Sequence, residues 1–327
     1  MIISQTPLRI SLAGGGTDFP KFFMEEGGAV VNFAIDKYVY VIVKERFDDR
    51  IYLNYSKKEI VDSVSAIQHE LIREAMRLTG VEKGVEITTL ADIPSGGTGL
   101  GSSSAVTVGL LNALYAYQGM QVTAERLAEE ACRIEIELLK KPIGVQDQYI
   151  AAFGGLRFFE FSKEGVRNKK VALAGDKKMR LGEHLMLFYT NATRSADDIL
   201  KEQNDSIFEK RGELQAIKQL AHDIYAALQG GDFSTVGEKL HEGWSLKKKL
   251  SSKISSAAID DWYARARESG ALGGKITGAG GGGFLLLYAP IEKQNQIRQV
   301  LPLKELPFHL EQGGSRIIFN MTRYEWK

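Results

Sequence analysis

The chain has 327 residues, 44% of them hydrophobic, so it can bury the core of one large domain or of two smaller ones. Lys and Arg number 42 against 41 Asp and Glu, which speaks against a nucleic-acid-binding protein because such proteins are usually basic. The single cysteine, Cys132, excludes an intrachain disulfide and fits a reducing compartment. The N-terminus lacks a signal-peptide pattern and the apolar run near Phe284 is too short for a membrane span. We therefore expect a cytoplasmic protein without a membrane partner.

The first half of the sequence combines strand and helix patterns. β-Branched and aromatic residues predict strands at residues 8–14, 30–45, 50–56 and 84–94. Amphipathic helices are predicted over 65–80, ending at Gly80, and over 123–141, ending before Pro142.

The second half is richer in helix. Helical patterns cover 197–232 and 255–271, and strands are predicted at 281–290 and 315–320. The change in pattern indicates two domains that meet near 165–185. We expect an N-terminal domain over 1–175 and a C-terminal domain over 176–327. No flexible linker separates them, so a cleft between them is expected.

A glycine- and serine-rich stretch, "PSGGTGLGSSSA", runs from Pro94 to Ala105 and leads into an apolar helical pattern. Its four glycines allow the backbone N–H groups to turn inward, and the helix that follows presents free N–H groups and the positive end of its dipole. Such a combination binds anions, most often phosphate. A tight turn with a serine cap is the alternative, but four glycines and three serines favour phosphate. A Walker A loop is excluded, because no lysine follows the glycines.

A second glycine cluster, Gly278–Gly283, matches the spacing of a dinucleotide fingerprint but precedes the strand "FLLLY" instead of opening a helix. This context argues against a nicotinamide-dependent oxidoreductase. We expect the cluster either to allow this backbone to approach another loop or the ligand, or to form a bulge before the strand.

Three stretches, "TPLRISLAGGGTDF", "PSGGTGLGSSSA" and "GKITGAGGGGF", resemble in order and spacing the three motifs of the GHMP kinases. The resemblance extends over nearly the whole chain. It implies an α+β fold of two domains with the active site in the cleft between them. The N-terminal domain would contain a left-handed βαβ crossover, and the C-terminal domain would be a ferredoxin-like α+β sandwich.

The resemblance also implies an ATP-dependent kinase that uses Mg²⁺. The metal would be held by Ser103 and Glu135, and Glu135 precedes Asp147 by the twelve residues found in galactokinase-like members. Glu135 could instead be a solvated helix carboxylate. The expected ATP-binding residues are Pro94, Gly97, Gly99, Leu100, Gly101, Ser102, Ser103 and Ser104.

The catalytic pair implied by the family is Asp147, in "GVQDQY" after a helix, together with Arg9. Asp147 would act as a base on the acceptor hydroxyl or would only orient it. An adjacent arginine would keep the carboxylate ionised by Coulomb attraction. Arg9 alternates with apolar neighbours, so the sequence equally allows a strand residue that faces solvent.

The motifs are most similar to the branch of the family that phosphorylates the anomeric hydroxyl of D-glycero-D-manno-heptose 7-phosphate. Galactokinases carry glutamate and histidine where this chain has Gly15 and Gly16, which leaves room and removes a carboxylate, as suits a phosphorylated substrate. Arg194 is the first candidate to bind the substrate phosphate. The lysines of "LKKKL" (Lys247, Lys248 and Lys249) are more typical of a solvated helix face, although one of them could reach the site. The expected substrate-binding residues are Gly15, Gly16, Thr17, Asp18, Arg194, Gly280 and Gly281.

Two alternatives stay open at this point. The chain could phosphorylate the anomeric hydroxyl of another sugar, such as fucose or galactose. It could also be a non-catalytic relative that binds sugar and ATP, although the presence of Arg9, Glu135 and Asp147 argues against this.

Overall fold

The structure is a computed structural model that describes residues 1–94, 97–192 and 196–321. In these ranges the strands form two sheets, and the strands predicted in both halves of the chain are present. The strands are β1 (Ile2–Ala13), β2 (Gly28–Glu45), β3 (Ile51–Asn54), β4 (Lys58–Val61), β5 (Val85–Ala91), β6 (Leu156–Ser162), β7 (Gly165–Lys170), β8 (Leu185–Tyr189), β9 (Gly273–Ile276), β10 (Phe284–Tyr288), β11 (Lys304–Glu305) and β12 (Arg316–Asn320).

The helices begin and end largely where cap residues indicate. Gly80 ends the second helix in the left-handed conformation, and Thr123, Asp232 and Ser256 accept a backbone N–H at the starts of three others. The helices are α1 (Pro20–Glu26), α2 (Glu70–Thr79), α3 (Ser102–Tyr117), α4 (Ala124–Cys132), α5 (Gln146–Phe153), α6 (Gly175–Glu183), α7 (Ala196–Asp205), α8 (Arg211–Gly230), α9 (Phe233–Lys247), α10 (Ala257–Glu268) and α11 (Ile291–Val300). None of them combines the length and apolar character that crossing a membrane would require.

Two of the predicted helices differ from the structure. The helix expected over 123–141 is α-helical only to Cys132 and then widens into a π-helical segment, Arg133–Leu138. The helix expected over 197–232 is interrupted between α7 and α8. There the Ser206 hydroxyl donates to the Glu202 carbonyl at 2.8 Å, a local bond of the kind that competes with the helical ladder.

The first sheet has the strand order β12-β1-β2-β5-β3-β4, and β6 and β7 extend it from β2. The sheet can branch at β2 because this long strand pairs with β1 along one edge, and along the other with β5 at Val39–Glu45 and with β6 at Gly28–Phe33. β3 and β5 run parallel and are connected through α2, where the crossover is expected. The handedness of this crossover stays a prediction.

The second sheet, in the order β11-β8-β10-β9, is antiparallel, and every residue of β9 and β10 is buried. β12 comes from the C-terminal part of the chain but pairs with β1 of the first sheet. The boundary at 175/176 stays a prediction. The predicted α+β class is confirmed.

Candidate active site

A cleft of about 440 Å³ is lined by segments from both halves of the chain. It is lined by the end of β1 and the loop after it, by residues 97–104, by the start of α5, and by parts of α7, α8, α9 and β9. All three glycine-rich motifs therefore contribute to one site. The predicted residues on its wall are Arg9, Gly15, Gly16, Asp18, Gly97, Gly99, Gly101, Ser102, Ser103, Ser104 and Asp147.

The loop before α3 has the backbone that an anion site needs. Gly97, Gly99 and Gly101 have positive φ values of 66°, 72° and 74°, a region that side chains disfavour. α3 starts at Ser102, and no side chain caps its start. The free N–H groups of the first turn are thus available to a phosphate chain, while the Ser103 and Ser104 hydroxyls donate to Glu135. Pro94 and the buried Leu100 do not line the cleft.

The third glycine-rich motif, Gly278–Gly283, packs against this loop. A Cβ on Gly278 would lie 2.4 Å from the Gly99 Cα, and a Cβ on Gly99 would lie 2.5 Å from the Thr277 carbonyl oxygen. The glycines therefore let two loops touch backbone to backbone. Gly280 and Gly281 face Ile254, since the Gly281 N–H donates to its carbonyl at 2.7 Å. In this motif Gly278 and Ala279 form the cleft wall.

Arg9 and Asp147 form a buried ion pair in the cleft. Arg9 Nε and Nη2 each donate to the Asp147 carboxylate at 2.6 Å, and Nη1 donates to the Gly99 carbonyl at 2.6 Å. Arg9 is only 5% exposed, which excludes the alternative of a strand residue facing solvent. Asp147 lies in the first turn of α5 and not in a turn before it. The guanidinium thus connects the carboxylate to the glycine loop.

Glu135 lies on the π-helical segment and is fully buried beneath the start of α3. Its carboxylate accepts hydrogen bonds from the Ser103 and Ser104 hydroxyls at 2.7 and 2.8 Å and from Gln148 Nε2 at 2.5 Å. Burial raises the pKa of Glu135, and these three donors oppose the rise. A solvated helix carboxylate is therefore excluded.

The donor set at Ser103 and Glu135 fits Mg²⁺. The described residues contain no cluster of three or more His, Cys, Asp or Glu side chains, so a metal held by protein groups alone is not indicated there. Mg²⁺ in kinases takes one or two carboxylates, nucleotide phosphates and water, which matches one buried carboxylate beside a serine hydroxyl.

The loop after β1 holds the other carboxylate of the site. Asp18 is 3% exposed and accepts the N–H groups of Gly16 and Gln146 at 2.9 and 3.2 Å. Burial raises the pKa of the Asp18 carboxyl, and the charge of Asp147 raises it further. Thr17 is turned away from the cleft, because its hydroxyl donates to the carbonyls of Gly14 and Ala29. Its position indicates that it holds the loop in shape.

Two lysines, Lys247 and Lys275, lie on the cleft wall. Lys275 Nζ donates to the Leu12 carbonyl at 3.0 Å, and Lys247 Nζ donates to the carbonyls of Ile276 and Gly278 at 3.0 and 2.5 Å. No ion pair within the described ranges includes either of them. Burial lowers the pKa of both, and the charge of Arg9 adds to this, so that the pKa of Lys275 falls to about 7.

Sequence signals for these lysines did exist. Lys247 follows Leu240 and Trp244 at helical spacing and so shares the buried face of α9, while Lys275 lies in the wholly buried strand β9. Lys248, by contrast, pairs with Asp260 near the surface, and Lys249 is exposed. Arg194, the first candidate for the substrate phosphate, lies outside the described residues.

Comparison with known proteins agrees with this geometry. Residues 54–155 match the GHMP kinases N-terminal domain, and residues 224–303 match the GHMP kinases C-terminal domain. The chain belongs to the GHMP kinases. It is an ATP-dependent kinase that phosphorylates an alcohol group, as the motifs predict.

Individual relatives cover most of the chain. A D-glycero-alpha-D-manno-heptose 7-phosphate kinase of Campylobacter jejuni is 32% identical over 91% of this chain and 92% of that protein. An L-fucokinase/L-fucose-1-P guanylyltransferase of Bacteroides fragilis is 28% identical over 88% of this chain but only 34% of that protein. The structure of a D-glycero-D-manno-heptose 1-phosphate kinase from Bacteroides thetaiotaomicron superposes with a TM-score of 0.81 at 26% identity, over 98% of this chain and 100% of that one.

Proposed function

We propose that this kinase transfers the γ-phosphoryl group of ATP to the anomeric hydroxyl of D-glycero-D-manno-heptose 7-phosphate, which gives the 1,7-bisphosphate and ADP. The observation that carries the proposal is the Arg9–Asp147 pair, which lies beside a phosphate-binding loop in a cleft that also holds Lys247 and Lys275. The relative from Campylobacter jejuni, named for this activity, supports the choice of sugar.

The nucleotide side of the cleft would bind the triphosphate. Backbone N–H groups between Gly97 and Ser104 would hold its oxygens, as the start of α3 and the positive φ values favour. Ser103 and Glu135 would hold Mg²⁺, which when bound supplies positive charge that neutralises the phosphate oxygens.

Asp147 would face the sugar. In the reaction a bond forms between the anomeric oxygen and the γ-phosphorus, the bond from that phosphorus to the β-γ bridging oxygen breaks, and the hydroxyl proton leaves. Asp147 would accept that proton, or at least align the hydroxyl by accepting a hydrogen bond from it. Arg9 holds the carboxylate with two hydrogen bonds and places a positive charge at the point of transfer.

Three cations on one wall favour a substrate that brings its own negative charge. Arg9 is neutralised by Asp147, whereas no ion pair within the described ranges includes Lys247 or Lys275. Burial destabilises the charged form of both ammonium groups, and a bound phosphate would relieve this. Gly15 and Gly16 add no carboxylate that would repel such a group. Together these features favour a sugar phosphate over a free sugar.

A second candidate is a kinase for the anomeric hydroxyl of an unphosphorylated sugar, favoured by the similarity to the fucokinase part of the Bacteroides fragilis protein. A coupled ADP-release assay distinguishes the two. We expect strong turnover with heptose 7-phosphate and little with free heptose, fucose or galactose. Strong turnover of a free sugar and none of heptose 7-phosphate would contradict the proposal.

A further inference from the structure

Several buried polar side chains near the cleft have atoms without hydrogen-bond partners, and three of these residues lie together. Ser11 Oγ, Gln146 Oε1 and both amide atoms of Asn32 are enclosed, yet none has a partner in the part of the chain that the structure describes. The three residues are 6%, 8% and 0% exposed. Buried polar atoms are nearly always hydrogen-bonded in folded proteins, so such a group calls for an explanation, such as a ligand.

These side chains form one surface, which we call the polar wall (Ser11 and Gln146, with Asn32 behind). Ser11 lies on β1 two residues after Arg9, so both point to the same side of the strand, and both line the cleft. Asn32 on β2 is paired directly with Ser11. Gln146 precedes Asp147 at the start of α5 and also lines the cleft. The polar wall is therefore continuous with the catalytic pair.

Gly15 leaves the space in front of the polar wall open. A Cβ at this position would lie 3.6 Å from Gln146 Nε2 and 4.0 Å from Ser11 Oγ. A larger side chain there would occupy the volume between the two polar groups. The absence of a side chain at residue 15 thus leaves space beside both side chains on the cleft side.

The chemistry of the polar wall selects the kind of group it binds. Gln146 Oε1 is an acceptor, and the carboxylates of Asp18 and Asp147 lie near it, so an anion is disfavoured here. An apolar group would leave both side chains unpaired. A hydroxyl suits them, because it donates to an amide oxygen and accepts from a serine hydroxyl.

We propose that Ser11 and Gln146 bind hydroxyl groups of the sugar ring and thereby help to decide which sugar is accepted. This inference rests on the proposed sugar kinase activity. It does not require that the sugar is heptose 7-phosphate, since any ring with suitably placed hydroxyls could bind.

The test compares wild type with Ser11→Ala and Gln146→Leu on heptose 7-phosphate and on its 2-, 3- and 4-monodeoxy derivatives. If wild type prefers another sugar in the ADP-release assay, the same comparison is made with that sugar and its monodeoxy derivatives. The role of the polar wall is then tested even if heptose 7-phosphate is not the substrate.

We expect each variant to lose about three- to tenfold in kcat/KM, the effect of one neutral hydrogen bond, with the KM for ATP unchanged. For wild type, one deoxy derivative should have a lower kcat/KM than the complete sugar. For the variant, this derivative and the complete sugar should have the same kcat/KM, because the hydrogen bond is already lost. Gln219→Leu, at an exposed glutamine on α8, is the control and should show the same loss of kcat/KM with that deoxy derivative as wild type. Additive penalties for every derivative, or an unchanged kcat/KM, would overturn the proposal.

Gly15→Ala provides a second readout. Its Cβ would make only ordinary van der Waals contacts, so folding should be preserved, which circular dichroism can verify. We expect a higher KM for the sugar and an unchanged KM for ATP. Equal effects on both substrates would contradict a role of this space in sugar recognition.

Discussion

The two sides of the cleft are built in different ways. The proposed nucleotide side comes from one stretch, residues 97–104, whose backbone N–H groups and hydroxyls carry no formal charge. The proposed sugar side comes from β1, the loop after it, α5, α9 and β9, which are far apart in the sequence, and it contains several charged and polar side chains. Binding a phosphate chain therefore needs a local conformation, whereas recognising a sugar needs a tertiary one.

The difference affects how each side responds to mutation. On the nucleotide side, apart from the proposed metal ligands Ser103 and Glu135, the groups expected to bind phosphate are backbone atoms, which a side-chain substitution cannot remove, so such a change acts mainly by distorting the loop. On the sugar side each substitution removes a defined charge or hydrogen bond. Five predictions test this contrast: four on activity, from the largest expected effect to the smallest, and one on stability.

Asp147→Asn should lower turnover by roughly 10²- to 10⁴-fold, the contribution typical of a general base, because the amide cannot accept the hydroxyl proton. Binding of a non-hydrolysable ATP analogue, measured by titration calorimetry, should stay within a few-fold of wild type, since the glycine loop is intact. Asp261→Asn, on the surface of α10, serves as the control. Turnover close to wild type would mean that the Arg9–Asp147 pair is only structural.

Glu135→Gln should raise the Mg²⁺ concentration needed for half-maximal activity by about 10- to 100-fold, because it removes the buried charge beside Ser103. The amide can still bond to both serines, so the thermal unfolding temperature should change little. Glu137→Gln is the matched control, since this carboxylate is exposed on the same π-helical segment. An equal shift in both variants would argue against a metal role for Glu135.

Lys275→Met should raise the KM for the phosphorylated sugar about tenfold, as expected for the loss of one charge-assisted hydrogen bond, and should affect a free sugar less. Lys249→Met, an exposed lysine just after α9, is the control. Equal losses with phosphorylated and free sugar would indicate that Lys275 does not contact the substrate phosphate.

The same lysine predicts a pH dependence. Arg9 and Lys247 face Lys275 with like charge and Asp18 with opposite charge, and its pKa is about 7. Raising the pH through 7 removes its proton, so kcat/KM for the sugar phosphate should fall above pH 7. In Lys275→Arg the side chain stays charged, so kcat/KM should no longer fall above pH 7. If kcat/KM still falls above pH 7 in this variant, the titrating group is not Lys275.

Gly278→Ala should lose about 1–3 kcal/mol in the free energy of unfolding, because its Cβ would lie 2.4 Å from the Gly99 Cα. Gly119→Ala is the matched control, since Gly119 has a similar positive φ of 76° but no atom within 4 Å of its Cβ position. The difference between the two variants in urea unfolding isolates the loop contact. Equal losses would show that backbone strain alone explains both.

Part of this protein could be predicted from the sequence because the signals are local. The glycine loop, the helix start at Ser102 and most strands follow from residue type and spacing, which act within a few residues of the chain. The short-range pattern could not predict the widening of the helix at Arg133 or the break before α8, since packing and side-chain bonds decide these.

The sequence by itself determined the glycine-rich loop and the helix start that are predicted to bind a phosphate chain, because glycine conformation and a helix N-terminus are local properties of the backbone. Only the tertiary structure decided that Arg9 is buried against Asp147, that Lys247 and Lys275 reach the cleft, and that Ser11 and Gln146 lie around Gly15. Each of these arrangements joins residues far apart in the chain. Their energies depend on burial and on the distance between charges, which residue spacing does not specify.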